Sequence, residues 1–558
     1  MENEKSDILK DTNSAALTGT GSDTGAGKKA ENANEGTGLF KAAWWIAVII
    51  LLSKVAGFLR DIVVANYYGA GVVSDAYFYA YQIPALVLVI LGGVGGPFHS
   101  ATVAVFSKLI TDFKAKPAED VKRLFNTFET FTMILFAAGA LLCFFFPEQI
   151  MRVIINDGSA ELVNLAAFHL KIMSPIVFIG SVMGLYYGIL VTYKRFLLPN
   201  ISPSMLSLGI IAVLLITKGD KTGYLLALGT TIGALLQLMV QMPAVLKLGY
   251  SFRPAFDFFK NKNFNEILEL LFPAFLSSTI GQLGVYVDMF FSSGLREGSW
   301  TAYGYANRIF QFPVGMLLTA ILVPLFPLFS RLVAKKDEDG VRHYFQKGVG
   351  TLIFVGTYLM TVIFVVRTDA IRLALQRGAF DNEATIVVSE ILFYITLSII
   401  PYVFRDSATR LFYSFNDSKT PFLIAIACIV LKCILNIILV KPFGINGIAL
   451  ATTLVTLFNA TTLGILLRKK IKIGYTRLLK NVYKILISGV SAFLTGYIIS
   501  EIFDKFIEWN FMTGALKLML IGAVMLVVYA ICAYLTKIEY LNDLIERIKN
   551  HGKVETQA

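Results

Sequence analysis

The run AAWWIAVIILLSKVAGFLRDIVVAN, residues 42–66, has the length of a membrane-crossing helix, yet it carries Lys54, Arg60 and Asp61. About 20 apolar residues span the hydrocarbon core, and a charge at its centre costs about 2.5–3.5 kcal/mol on insertion scales. A span that keeps three charges faces a cavity or another helix rather than lipid. Lys54 and Asp61 lie two turns apart on nearly one face with Gly57 between them, and Arg60 projects from a neighbouring face. The small residues Ala56 and Gly57 leave room for a helix or a ligand to approach.

The rest of the chain agrees with a membrane setting. Its 558 residues are 56% hydrophobic and 16% charged, with a mean hydropathy of +0.66, too apolar for a soluble protein of this length. Apolar runs recur at 42–66, 75–110, 125–154, 160–190, 198–217, 223–247, 266–293, 300–333, 345–366, 386–414, 421–441, 444–467, 481–502 and 512–536. The expected fold is therefore an all-α integral membrane protein of about 14 spans. In the second run, Gly92-Gly93-Val94-Gly95-Gly96-Pro97 predicts a bend or local unwinding. Residues 1–37, rich in Gly, Ser, Thr, Asn, Lys and Glu, read as a disordered tail.

The formal charge of +12 sits in short clusters between the runs, which argues against a nucleic-acid partner and for topology. Lys114, Lys116, Lys122 and Arg123, then Lys194 and Arg195, then Lys247, Arg253, Lys260 and Lys262, then Arg331, Lys335 and Lys336, then Arg468, Lys469, Lys470 and Lys472 fall on alternate connections. The positive-inside rule puts these loops and both termini in the cytoplasm. The 367–385 connection is an exception, with Arg367, Arg372 and Arg377 expected outside. An even number of spans permits two bundles of six with a seam at the basic 248–265 loop, although no strong internal repeat is visible. The resulting division is 1–37 cytoplasmic tail, 38–262 helices 1–6, 263–470 helices 7–12, and 471–558 two extra helices and a cytoplasmic tail.

Other charges also fall within spans. Arg308 stands in the eighth and could join Lys54 and Arg60 as an anion clamp, or could cap carbonyls near Pro313. Lys54 and Arg60 could equally be structural partners of Asp61. Asp288 in the seventh span and Lys432 in the eleventh are either a structural pair or part of a coupling-ion site. Arg405, Asp406 and Arg410 could snorkel or line a portal. Cys143, Cys428, Cys433 and Cys532 lie in apolar runs without paired spacing, and His99, His169, His343 and His551 are scattered, so no metal and no cofactor is expected. No nucleophile and base constellation or phosphate-binding glycine loop appears, which points to transport rather than an enzyme.

Ser53-Lys54-Val55-Ala56-Gly57-Phe58-Leu59-Arg60-Asp61, continued by Gly69-Ala70-Gly71 and Ser74-Asp75-Ala76-Tyr77, resembles the opening signature of the MurJ/MviN lipid II flippase family of the multidrug/oligosaccharidyl-lipid/polysaccharide exporter superfamily. Tyr305-Ala306-Asn307-Arg308 with Phe312-Pro313, Arg377-Gly378-Ala379-Phe380, Phe412-Tyr413-Ser414 and Lys419-Thr420-Pro421 are similar to that family's later strings, in the same order. The resemblance covers about residues 40–540. It implies two six-helix lobes around a central cavity, plus two C-terminal helices forming a groove for a long lipid tail. It also implies export of lipid II for peptidoglycan biosynthesis, cell-wall biogenesis and cell shape, by a monomer in the bacterial cytoplasmic membrane, alongside cell-wall synthesis proteins as partners.

The substrate-binding positions it implies are Lys54, Arg60, Asp61, Asp75 and Arg308. Where many members carry a further cavity arginine in the second helix, this chain has Leu88. Some members bind sodium, and the matching positions are Asp288, Asn436 and Thr452, with Lys432 one turn before Asn436. An ammonium beside Asp288 would replace that cation, so sodium independence is expected. The competing readings are a flippase for another polyprenyl-diphosphate oligosaccharide, a drug exporter of the same fold, and a non-transporting membrane scaffold for wall synthesis.

Overall fold

The computed structural model describes residues 48–92, 96–110, 116–258 and 260–541. By its internal contacts the chain forms two units, Met1–Leu52 and Ser53–Ala558. Of the first, the described residues 48–52 are helical. The expected tails at 1–37 and beyond 541, and residues 42–47 of the first span, lie outside the described residues.

Among the described residues of the larger unit the regular structure is α-helical. It opens with α1 (53–68), α2 (Val72–Gly92), α3 (Pro97–Leu109), α4 (Glu119–Phe145), α5 (Pro147–Ile154), α6 (Ala160–Met173), α7 (Pro175–Thr192), α8 (Leu197–Ile201), α9 (Pro203–Thr217) and α10 (Tyr224–Lys247). It continues with α11 (Lys262–Ser292), α12 (Ser299–Ala334), α13 (Glu338–Leu375), α14 (Asn382–Thr396), α15 (Ile399–Ser414), α16 (Lys419–Phe443), α17 (Ile445–Ile471), α18 (Thr476–Phe506) and α19 (Phe511–Leu535). Among the described residues, 12 helices are long and apolar enough to cross a membrane, or 13 if α14 and α15, bent by 49°, form one broken span. The remaining expected span is the charged one that contains α1.

Several expected single spans are broken, each for a local reason. The second ends at Gly92 and resumes at Pro97, with residues 93–95 outside the described set. The third breaks at Phe146-Pro147 and the fourth at Ser174-Pro175, because a proline lacks the N–H that would continue the ladder but suits the first turn of a new helix. The expected 367–385 loop is corrected: α13 continues to Leu375, so Arg367 and Arg372 are helical and only Arg377 is in the connection.

Packing separates the helices into groups. The helices α2, α3, α4, α6, α9 and α10 gather around α7 and one another, α12 to α17 pack mainly among themselves, and α11 packs against both α3 and α16. The last two, α18 and α19, pack together and lean on α13. Lipid tails are as apolar as leucine, so close helix approach depends on small residues. In the α9–α10 pair, a Cβ on Gly209 would stand 2.5 Å from the Gly233 Cα. Helix ends are fixed by side chains: Asp337 caps α13 through the Gly340 N–H at 2.8 Å, and Asn510 and Thr513 form a reciprocal capping box on α19.

Candidate functional site

The charged face of α1 meets α12. The Asp61 Oδ1 atom accepts from Arg60 Nε at 3.1 Å and Nη2 at 2.9 Å, and also from Arg308 Nη1 at 3.3 Å. Asp61 is buried. One carboxylate therefore joins two guanidinium groups from different helices. The Arg308 guanidinium also lies over the Phe78 ring at 4.5 Å, which fixes its plane. Lys54 reaches α12 two turns beyond Arg308: a Cβ on Gly315 would stand 3.6 Å from its Nζ. Among the described residues Lys54 has no ion-pair partner.

These groups line a cavity of about 340 Å³, together with Gly57, Phe58, Gln311, Phe312 and Gly315. A Cβ on Gly57 would meet nothing within 4 Å, so the α1 backbone borders open space there. Three cations face one carboxylate, and each guanidinium keeps N–H groups that Asp61 does not engage. Such an arrangement can take an oxyanion with several acceptor oxygens.

Asp75 lies elsewhere. Its Oδ2 accepts the Gly298 N–H at 2.7 Å, and its Oδ1 accepts the Thr301 N–H at 2.7 Å and the Thr301 hydroxyl at 2.6 Å. Gly298 and Thr301 are the cap and third residues of α12, whose own side chains provide no cap. Asp75 of α2 therefore caps α12 from outside, with its oxygens occupied and its side chain buried. The same end of the bundle is drawn together by the Ala379 N–H, which donates to the Asn66 carbonyl at 2.9 Å, and by Tyr79, whose hydroxyl lies 2.7 Å from Ser292 Oγ. Contact there is close enough that a Cβ on Gly298, at φ +85°, would stand 2.2 Å from the Ala70 carbonyl oxygen.

The family model described as "Lipid II flippase MurJ" matches residues 64–521. The chain belongs to this family. A probable lipid II flippase MurJ of Synechocystis is 32% identical over 429 residues, covering 75% of this chain and 79% of that protein. The lipid II flippase MurJ of Burkholderia cenocepacia is 25% identical over 443 residues, covering 77% and 84%. Among solved structures, a lipid II flippase MurJ in an inward closed conformation superposes with a TM-score of 0.75 at 24% identity, covering 90% of this chain and 99% of that one. An inward-facing multidrug resistance MATE family transporter of the MOP superfamily gives a TM-score of 0.60 at 13% identity, covering 76% and 98%. At such identities these two superpositions establish a shared fold.

Within this family member, α11, α12, α16 and α17 enclose a second polar cluster. Lys432 Nζ is 2.6 Å from Asp288 Oδ2, and the Asn436 amide donates to Asp288 Oδ1 at 3.2 Å. The Tyr303 hydroxyl donates to Asp288 at 3.4 Å and lies 3.3 Å from Thr452 Oγ1. Lys432 crosses α11 at Gly284, where a Cβ would stand 3.8 Å from Nζ. The four positions singled out in the sequence thus converge, with the ammonium seated on the carboxylate. Among the described residues no group of three or more His, Cys, Asp or Glu side chains could hold a metal ion.

Three polar anchors escaped the sequence reading. Glu129 of α4 is buried with one carboxylate oxygen unpartnered, and Lys517 of α19 is fully buried between Asp369 and Asp504. Each is an ionisable residue within an expected span, so the charge-in-a-span criterion applied to α1 would have found both. Asp220, in the α9–α10 turn, accepts from the Tyr68 hydroxyl at 2.8 Å and the Thr222 hydroxyl at 2.6 Å. Burial pushes its carboxyl up, but these hydrogen bonds outweigh it and hold Asp220 below the usual range.

Proposed function

We propose that the chain translocates lipid II from the cytoplasmic to the outer leaflet of the bacterial cytoplasmic membrane by alternating access, the lipid's diphosphate being held by Lys54, Arg60 and Arg308. The observation that carries this reading is the Asp61 carboxylate shared by Arg60 of α1 and Arg308 of α12, beside Lys54 in one cavity. A diphosphate competes with Asp61 for both guanidinium groups and adds the Lys54 ammonium. Binding thus ties α1 to α12 through the substrate, and no covalent bond need change. The family's relatives carry the lipid II name, which supports the choice of substrate.

In the proposed cycle, residues 38–262 and 263–470 act as two lobes, with 471–558 as an appended helix pair and tail. With both termini cytoplasmic, the end of the bundle sealed by Asp75 is the outer one. Breaking the contacts from Asp75 to α12 and from Asn66 to Ala379 lets the lobes rock about the bound head group. Asp75 thereby acts on access rather than by touching the diphosphate. The Lys432–Asp288 pair takes the place of a bound coupling cation, leaving membrane potential as a driving force of about 2.3 kcal/mol per charge per 100 mV. The protein works as a monomer alongside cell-wall synthesis enzymes.

A second reading, a flippase for another polyprenyl-diphosphate oligosaccharide, is favoured by one observation: Leu88 packs among apolar residues where many relatives place a further cavity arginine. Complementation separates the two. A host depleted of its own lipid II flippase should regain outer-leaflet lipid II with this chain and lose it with Arg60→Ala or Arg308→Ala. Failure despite membrane insertion would favour the other glycan, and rescue by both variants would refute the diphosphate clamp.

A further inference from the structure

Away from the cationic cavity, a second cavity of about 680 Å³ runs between α13, α14 and α18. Part of its wall is apolar, formed by Phe364, Val365, Val490 and Phe493. Toward the end of α13 and the end of α18 the lining changes to Arg367, Asp369, Glu501 and Asp504. Beyond it, Arg372 lies over the Trp509 ring at 4.5 Å, and tryptophan favours the boundary between hydrocarbon and head groups. The cavity therefore has the polarity gradient of a membrane leaflet.

Its polar end is built by an ion cluster around the buried Lys517. Lys517 Nζ is 2.6 Å from Asp369 Oδ2 and 2.6 and 2.7 Å from the two Asp504 oxygens. One ammonium between two carboxylates leaves an excess negative charge, to which Glu501 adds another. Arg367, two residues before Asp369 on α13, lines the same cavity. Its Nη1 donates to the Phe364 carbonyl and its guanidinium lies 5.3 Å from the Phe393 ring, while its buried Nε has no hydrogen-bond partner. The Arg367 guanidinium and surplus carboxylate charge thus line one groove.

We propose that this groove is a binding site for a zwitterionic aminophospholipid, such as phosphatidylethanolamine. The lipid phosphate pairs with Arg367, its ammonium with Glu501 and Asp504, and one acyl chain follows Phe364, Val490 and Phe493. A purely anionic head group would bring its charge against Glu501, Asp369 and Asp504. An isoprenoid tail fits the apolar wall but offers nothing to the charged end of the groove. The bound lipid fastens α18 to α13 and α14, an attachment distinct from the diphosphate clamp and independent of what the protein transports.

The test uses the full chain in nanodiscs of equimolar phosphatidylethanolamine and phosphatidylglycerol with added undecaprenyl phosphate, released into detergent and examined by native mass spectrometry. Phosphatidylethanolamine should be retained over the other two. Glu501→Gln and Arg367→Gln should each reduce that retention about tenfold, the effect of one lost hydrogen bond to a charged group. Lys505→Gln, an exposed residue of the same helix outside the groove, should leave it unchanged. Glu501 is exposed, so its variant remains decisive if Arg367→Gln does not fold. Equal retention of phosphatidylglycerol, preference for undecaprenyl phosphate, or full retention by Glu501→Gln would each overturn the proposal.

Discussion

Asp75→Asn is the sharpest perturbation of the sealed end. The amide carbonyl can replace Oδ1 and keep the two Thr301 hydrogen bonds of 2.7 and 2.6 Å, but the amide nitrogen then faces the Gly298 N–H, where 2.7 Å now separates donor from acceptor. One charge-assisted bond is lost and a donor meets a donor; a hydrogen bond to a charged group contributes about 1.5–3 kcal/mol, so the sealed arrangement weakens by roughly 10- to 100-fold. α12 also loses a carboxylate at its N-terminus, about 0.3–1 kcal/mol more. Spin labels at the exposed Lys221 and Asn382, one on each helix group, report the separation of that end by double electron–electron resonance. The variant should show a longer distance population that the parent lacks, with the protein still monodisperse. An unchanged distance distribution would refute the view that this cap holds the two groups together.

Lys432→Met should make translocation depend on sodium at fixed membrane potential, whereas the parent should run equally in sodium and choline; sodium dependence in the parent would contradict the ammonium-for-cation reading. Lys517→Met removes the sole cation contacting Asp369 and Asp504 among the described residues, and should destabilise the fold by about 1–3 kcal/mol, with Asp369→Asn and Asp504→Asn added to it recovering part of the loss in thermal unfolding. Asp257, which the Thr127 hydroxyl and then the Arg123 guanidinium hold below the usual carboxylate range, tethers the 251–258 segment to α4. Because its folded value is depressed, that tether is complete above the ordinary aspartate value of about 3.9 and is lost only as pH falls through the lower folded value. Corrected hydrogen exchange of 251–258 should therefore stay flat through neutral and mildly acidic pH and rise only in stronger acid, while Asp257→Asn should exchange fast already at neutral pH.

What the sequence made legible follows from lipid as a solvent. A charge inside an apolar run stands out, and so Lys54, Arg60, Asp61, Arg308, Asp288 and Lys432 could be picked out and, in part, paired before any geometry was known. Asp75 was different: its position in a signature points to importance, but that it caps α12 depends on where another helix begins, which no local pattern encodes. Breaks at Pro147 and Pro175 were readable as prolines within long runs, yet whether a proline bends a membrane helix or divides it is decided by neighbouring helices that satisfy the freed carbonyls. The helical 367–375 segment was hidden because its arginines resemble a loop; Phe393 and Trp509 shelter Arg367 and Arg372 from elsewhere in the chain.

Translocation itself is the most direct test of the cationic clamp. Purified protein would be reconstituted into liposomes containing fluorescent lipid II, and the fraction of head groups reaching the opposite leaflet would be followed by a membrane-impermeant quencher under an imposed potential. The account predicts transfer by the parent and loss of transfer in Arg60→Gln and Arg308→Gln at undiminished incorporation and thermal stability. Transfer at the parent's rate by both variants would contradict it.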